Sequence, residues 1–308
     1  MKMRYAIIGT GAVGGYFGGR LAHDGHDVHF LLHSDYDHVL RHGLQVFSCN
    51  GDFHLQHPNA YSSTADMPQA DVVLVALKSV NEALLKTLLP PLLKPDTLVV
   101  LIQNGIGLEQ DVQQWFPKLH LAAGIAFIYS SKTQAGVVSH VGYGRLNIAD
   151  YSCPDPQRIV QLVADLNAAG VEAHRVEYAE ARWKKSVWNM PFNGLTVVLN
   201  TQTDKLLQNS VTEHLIREMM QEVIGAAQHL GVQRIDPSYA EQMLEMTKAM
   251  VPYSPSMKLD YDFHRPMEIH YLYTRPIQLA AEAGFPMPRL QMLEQQLKFL
   301  EASTALSL

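Results

Sequence analysis

Cysteine is nearly absent. Cys49 and Cys153 are the only two in 308 residues, and they share no metal or redox spacing. A disulfide framework is thereby excluded, and two reduced, structural thiols fit a cytoplasmic chain. Positive charge is not in excess either: 24 Lys and Arg stand against 30 Asp and Glu, a formal net charge of −6. A nucleic-acid or anionic-membrane partner is not expected, because there is no basic surplus to neutralise phosphates. Long apolar runs are missing; the best stretch, Asp71 to Ser79, is far too short to span a membrane. Lys2 and Arg4 are followed only by Ala6, Ile7 and Ile8 before glycines begin, so no secretory signal is expected. The 15 histidines form no HExxH pair, and His54 and His57 have no supporting Cys or carboxylate cluster, so no metal is expected.

Short apolar strands alternating with helices fill the first part of the chain, the pattern of a parallel sheet with crossovers. Strands are expected at Arg4–Ile8 and Asp27–Leu32, with a helix between them running to about Asp24. A small hairpin is expected from Gln45–Phe47 and Phe53–Leu55 around Asn50-Gly51, a favoured two-residue turn pair. Asp71–Leu77 and Thr97–Ile102 are near-continuous apolar runs, as strands buried on both faces require. Further strands are expected at Ala122–Phe127, Gly136–His140 and Arg145–Ile148. After about Ala173 the period becomes helical. Ser210-Val211-Thr212-Glu213 reads as a capping box, and Leu215, Ile216, Met219, Met220, Val223 and Ile224 form a core stripe ending near Gly231. The expected fold class is α/β: a Rossmann-type, doubly wound parallel sheet over residues 1–173, then an all-helical substrate domain over 174–308.

Gly9-Thr10-Gly11-Ala12-Val13-Gly14 matches GxGxxG immediately after a strand and at the opening of a helix. Gly9 permits a tight turn, Gly11 lets the backbone approach a pyrophosphate, and Gly14 allows close helix–strand contact. The helix N-terminus then offers free N–H groups and a positive dipole to the phosphates. An NAD enzyme usually carries an acid at the end of the second strand. This chain has Leu31-Leu32-His33-Ser34 there, with Asp35 and Asp37 following and no arginine, which favours NADP. His33 and Ser34 are candidate donors to the 2′-phosphate.

Ligands of open parallel sheets sit beyond the carboxyl ends of the strands. Lys78 and Asn104 lie just past two such ends, although a solvated lysine and an Asn-Gly turn would account for each alone. Lys185, Asn189 and Asn193 are spaced by four, so a continuous helix aligns them on one face, flanked by Val187, Trp188 and Phe192. Carbonyl reduction needs fixed donors and an acid, and a lysine with a lowered pKa suits that role. A solvated helix face with two ordinary lysines is the plain alternative. Pro191 cannot donate to the carbonyl of Val187, so a kink is expected.

These segments, from GTGAVGGYFGG through Ala76-Leu77-Lys78, Gln103-Asn104-Gly105 and Trp183–Asn193 to Ser256-Met257, Asp260 and Glu268-Ile269, resemble the ketopantoate reductase (2-dehydropantoate 2-reductase) family nearly end to end. The resemblance implies that Lys185 is the general acid. It implies that Asn189 and Asn193 hold the substrate, and that Ser256 contacts its carboxylate. Glu268 would organise the lysine, the substrate hydroxyl and the cofactor ribose; Lys78 and Asn104 would lie near the NADPH and the reacting carbonyl. The family often has an arginine where His33 stands and an acid where His270 stands, and Thr203 falls near an asparagine position of some members. The implied reaction is NADPH-dependent reduction of 2-dehydropantoate to (R)-pantoate, on the way to pantothenate. Reduction of another branched 2-keto acid, an opine- or sugar-acid-type dehydrogenase, and a non-catalytic NADP-sensing protein are the competing readings. A homodimer is compatible with all of them.

Overall fold

The computed structural model describes residues 2–305. The chain divides into two compact units: Met1–Gln103 with Leu108–Tyr178, and Asn104–Gly107 with Ala179–Leu308. Among the described residues, ten strands form a single sheet in the first unit: β1 (Arg4–Ile8), β2 (Asp27–Leu31), β3 (Leu44–Ser48), β4 (Phe53–Leu55), β5 (Asn59–Tyr61), β6 (Ala70–Val75), β7 (Leu93–Leu101), β8 (His120–Gln134), β9 (Val137–Asp150) and β10 (Arg175–Val176). The order is β4-β3-β9-β8-β7-β6-β1-β2-β5, with β10 on β9. Pairing is parallel except for β3 with β4 and β8 with β9. This is the doubly wound sheet expected. Its core strands are those with unbroken apolar runs, because both of their faces are covered.

Three local expectations need correction. The last three expected strands are one long antiparallel pair, β8 with β9. It passes through the polar run Ser130–Gln134 and across Val141–Gly144, where the register shifts and Tyr143 takes a left-handed φ of 59°. The hairpin of β3 and β4 does not close on a two-residue turn, since Val46 pairs with Phe53. Arg20 instead anchors the longer loop, donating to the carbonyls of Asn50 and Gly51 and to Ser48 Oγ. In the second unit the helix Ser210–His229 is capped by Asn209, whose Oδ1 accepts from Val211 N–H at 2.9 Å. Ser210 is already its first helical residue, so the capping box does not form.

The helix Ala12–His23 carries glycines in pairs, and both faces they form are used. A Cβ on Gly14 or Gly18 would strike the β1 side, at 3.1 Å from Ile7 Cγ2 and 2.7 Å from Ile7 Cγ1 respectively. A Cβ on Gly15 would lie 2.9 Å from Val138 of β9, and one on Gly19 would lie 3.1 Å from Phe53 of β4. The helix is thus clasped between β1 and the β3–β4–β9 flank, so close that a Cβ at Gly15 or Gly18 would force a neighbouring side chain to shift. In the second unit, Ile216, Met219, Met220, Val223 and Ile224 are buried with Val187, Met190, Phe192, Leu293 and Leu297. Glu222 caps the N-terminus of the helix Pro288–Ala305, accepting from the N–H groups of Arg289 and Leu290 and pairing with the Arg289 guanidinium. No helix among the described residues is long and apolar enough to cross a membrane.

Gly18→Val tests the clasp. Overpacking against Ile7 and Phe30 should cost roughly 3 kcal/mol, read as a lowered Tm in thermal unfolding. An unchanged Tm would mean that these side chains give way freely.

Candidate active site

The glycine loop separates into residues the fold requires and one it does not. Gly9 has φ of 92°, and a Cβ there would lie 2.6 Å from Leu77 N. A Cβ on Gly14 would lie 2.3 Å from Gly9 O. Gly11, by contrast, has ordinary φ, and no described atom lies within 4 Å of its ideal Cβ. Open space above a bare backbone, at the N-cap of a helix whose first turn (Ala12-Val13-Gly14) holds no acid, suits an incoming diphosphate. The first helical bond is Gly15 N–H to Gly11 O, so the N–H groups of Ala12, Val13 and Gly14 precede the ladder. Thr10 is committed to structure: its hydroxyl donates to Leu31 O at 2.8 Å, tying the loop to the end of β2. The residues present therefore fit a dinucleotide.

Beyond β2, His33 and Ser34 are exposed, while the carboxylate of Asp35 is buried. Lys78 is exposed in the segment after β6. Asn104 is a different matter. Residues 104–107 group with the second unit rather than with the strand they follow. Ile106 N–H donates to Tyr271 O at 2.9 Å, and Gly105, at φ of 111°, passes so close that a Cβ would lie 2.5 Å from that oxygen. Gly107, at φ of 95°, clears Arg275 in the same way. Asn104 and Glu268 therefore belong to one unit, attached through the π-turn His270–Thr274.

The helix Tyr178–Val198 runs unbroken through Pro191. Lys185 stands on it, three residues after Arg182, which is 2% exposed. Burial lowers the Lys185 pKa to about 7, assisted by the positive charge of Arg182 and opposed by the carboxylate of Glu268. Glu268 is itself only 6% exposed. The neighbouring Lys184 points elsewhere: its amine pairs with Glu180 at 2.6 Å and lies over the Tyr239 ring. An amine that shares its proton near neutrality is what an acid catalyst needs.

Asn189 is partly exposed, one residue past Trp188, whose indole N–H is held by Thr247 Oγ1 at 2.9 Å. Asn193 is 2% exposed and heavily committed. Its Nδ2 donates to Asn189 O at 3.0 Å, and its Oδ1 accepts from Met257 N–H at 3.1 Å. That bridge fixes the start of the helix Ser256–Asp262, whose first residue, Ser256, is partly exposed. Lys185, Glu268, Asn104, Asn189, Asn193 and Ser256 thus all belong to the second unit, while Gly9–Gly14, His33 and Lys78 belong to the first. Sequence reasoning passed over Arg182. Its position one turn before Lys185 was visible, but nothing in the sequence marks it as buried.

Comparison with known proteins gives the same pattern. Residues 5–152 match the family model "Ketopantoate reductase PanE/ApbA", and residues 177–301 match "Ketopantoate reductase PanE/ApbA C terminal". The chain is 42% identical over 306 residues to a 2-dehydropantoate 2-reductase of Nostoc sp., covering 97% of this chain and 96% of that one. The crystal structure of 2-dehydropantoate 2-reductase from Geobacter metallireducens superposes with TM-score 0.92 at 38% identity, covering 96% of this chain and 99% of the other. A D-mandelate dehydrogenase solved with NADH and anilino(oxo)acetate shares the fold, with TM-score 0.87 at 21% identity over 98% and 99% of the two chains.

Gly11→Ala should fold with unchanged Tm, because its methyl meets open space, yet bind a pyridine dinucleotide at least roughly tenfold more weakly. Calorimetric titration decides it. Full retention of affinity would show that no ligand needs the space above Gly11.

Proposed function

The chain belongs to the ketopantoate reductase family, and from that membership we propose that it is an NADPH-dependent oxidoreductase that reduces 2-dehydropantoate to (R)-pantoate. The observation that supports this best is Lys185, a lysine whose pKa lies at about 7 between a buried cation and a buried carboxylate. In this reading the first unit holds the dinucleotide through Gly9–Gly14, with His33 toward the 2′-phosphate and Lys78 nearby. Bound NADPH supplies the hydride. Lys185 Nζ would give its proton to the substrate's carbonyl oxygen as that oxygen gains negative charge. The resulting neutral amine is reprotonated from solvent. Glu268 keeps enough ammonium in place for this, and Arg182 makes the proton easier to release.

Asn104 and Asn189 orient the reacting end of the substrate, and Ser256 receives its carboxylate. Asn193 holds Ser256 in position through the Met257 N–H. A site that hydrogen-bonds the substrate hydroxyl rejects an analogue lacking it. A screen of 2-keto acids by NADPH oxidation should therefore rank 2-dehydropantoate above its deoxy counterpart and above pyruvate in kcat/KM. Faster turnover of another branched keto acid would move the proposal to that substrate.

Lys185→Ala should lower kcat by roughly 10²–10⁴-fold, the usual worth of a positioned general acid. Lys184→Ala should be nearly normal, since that amine is occupied with Glu180. Both variants active would remove the acid–base mechanism.

The pH profile has a definite sign. Only protonated Lys185 can donate, so kcat/KM for reduction should fall as pH rises through about 7. Glu268→Gln removes the charge that favours the ammonium and should move that limb to lower pH; Arg182→Gln should move it higher. A limb at the value of an ordinary lysine, with no response to either variant, would overturn the assignment.

A further inference from the structure

The end of β2 is where such a sheet distinguishes a ribose 2′-hydroxyl from a 2′-phosphate. A carboxylate there accepts from the hydroxyl and repels the phosphate. This chain does carry an acid close to that point, Asp35, but its side chain is turned into the protein and is 5% exposed. Oδ2 meets Lys132 Nζ at 2.5 Å and accepts from Gly136 N–H at 3.0 Å, and Oδ1 accepts from Ser34 Oγ at 3.3 Å. Burial works to raise the pKa of Asp35, but the Gly136 N–H and the Lys132 ammonium outweigh it and hold the carboxyl below its ordinary value. Asp35 is therefore ionised and paired at neutral pH.

Lys132 and Gly136 both come from the tip of the β8–β9 hairpin, where the register slips between Lys132 and Gln134. Sterics seat the tip as well as charge. Gly136 has φ of 65°, and a Cβ there would lie 2.7 Å from the His38 ring and 3.1 Å from Gly43 O. Gln45 N–H also donates to Gly136 O at 2.9 Å. The hairpin tip is thus held beside the β2 end, with its lysine on the only carboxylate buried there among the described residues.

We propose that Lys132 is a cofactor-specificity residue: by neutralising Asp35 and keeping its carboxylate engaged, it lets a 2′-phosphate occupy a strand end that otherwise carries an acid. This rests on the NADPH reading above. It also explains how NADPH is accommodated with His33 at the strand end and no arginine there. Asp37, the other nearby acid, is exposed, and solvent screens it.

The test is calorimetric titration of NADPH and NADH into the wild-type chain, Lys132→Ala, Asp35→Asn and the double variant, with Tm measured for each. Lys132→Ala should lower the NADPH-to-NADH affinity ratio by roughly tenfold or more, because the charge of the Asp35 carboxylate, no longer neutralised by an ammonium, then repels the phosphate. Asp35→Asn should keep or raise the ratio. The double variant should return to within about twofold of wild type, since Asn keeps an acceptor for Gly136 N–H and carries no charge. An unchanged ratio in Lys132→Ala overturns the proposal. A ratio that falls and is not restored in the double variant also overturns it, and would make Lys132 a direct phosphate ligand. Were Lys132→Ala unable to fold, a fall in the ratio for Asp35→Asn alone would refute the role. A wild-type chain with no preference for NADPH defeats the cofactor reading itself, before any variant is compared.

Discussion

Backbone-to-strand contact along one glycine-paired helix is the constraint on which the first unit depends. Residues Gly14 and Gly18 press on β1, and Gly15 and Gly19 press on the opposite flank, so a single helix of twelve residues is clasped from two sides. Its N-terminus is consequently fixed with respect to both. Thr10 ties the same loop to the end of β2, and Arg20, near the other end, secures the loop between β3 and β4. The bare peptide at Gly11 is thus held open by packing, not by flexibility. A phosphate bound at such a loop, as proposed above, would cost little reorganisation, because the element that carries its N–H groups is already fixed by packing.

The second unit solves the complementary problem of keeping polar groups in an apolar setting. Val187, Met190 and Phe192 are buried on the helix that carries Lys185, and burial is the largest influence on the lysine itself. Asn193, on the same helix, spends its amide on Asn189 O and Met257 N–H, so its own helix and the start of the helix Ser256–Asp262 share one hydrogen-bonded anchor. The glycines at 105 and 107 bring Asn104 into the same unit by passing within a Cβ's reach of Tyr271 and Arg275. The residues proposed for recognition and for proton delivery therefore belong to one unit.

Much of this was legible in the amino-acid sequence, for identifiable reasons. Buried parallel strands are apolar on both faces, so β6 and β7 stood out as unbroken runs. The glycine motif was readable because a strand precedes it and a helix follows. The extension of β8 was not, since Ser130-Ser131-Lys132-Thr133-Gln134 has no apolar alternation and its pairing partner lies across a turn. Nor could the sequence tell that Asp35 turns inward: that depends on Lys132, which is remote in the chain and near in space. The commitment of Asn193 was hidden for the same reason. Spacing by four aligned it with Lys185 and Asn189, but its second partner is an amide at position 257.

The lowered pKa of Lys185 also sets the chain's folding against its chemistry. In the unfolded chain this lysine would titrate near 10.5, and in the folded one it does so near 7. Between those values the unfolded state binds the extra proton, so folding stability gains from this residue as pH rises through that interval. Below about 7 both states are protonated and the full cost of burying the ammonium is carried by the fold. In the mechanism proposed above, the form of the protein able to deliver a proton is therefore the less stable one, and alkaline solution favours the fold while removing that proton. On that mechanism, selection for greater thermal stability at this position would remove the burial cost and the proposed reactivity together.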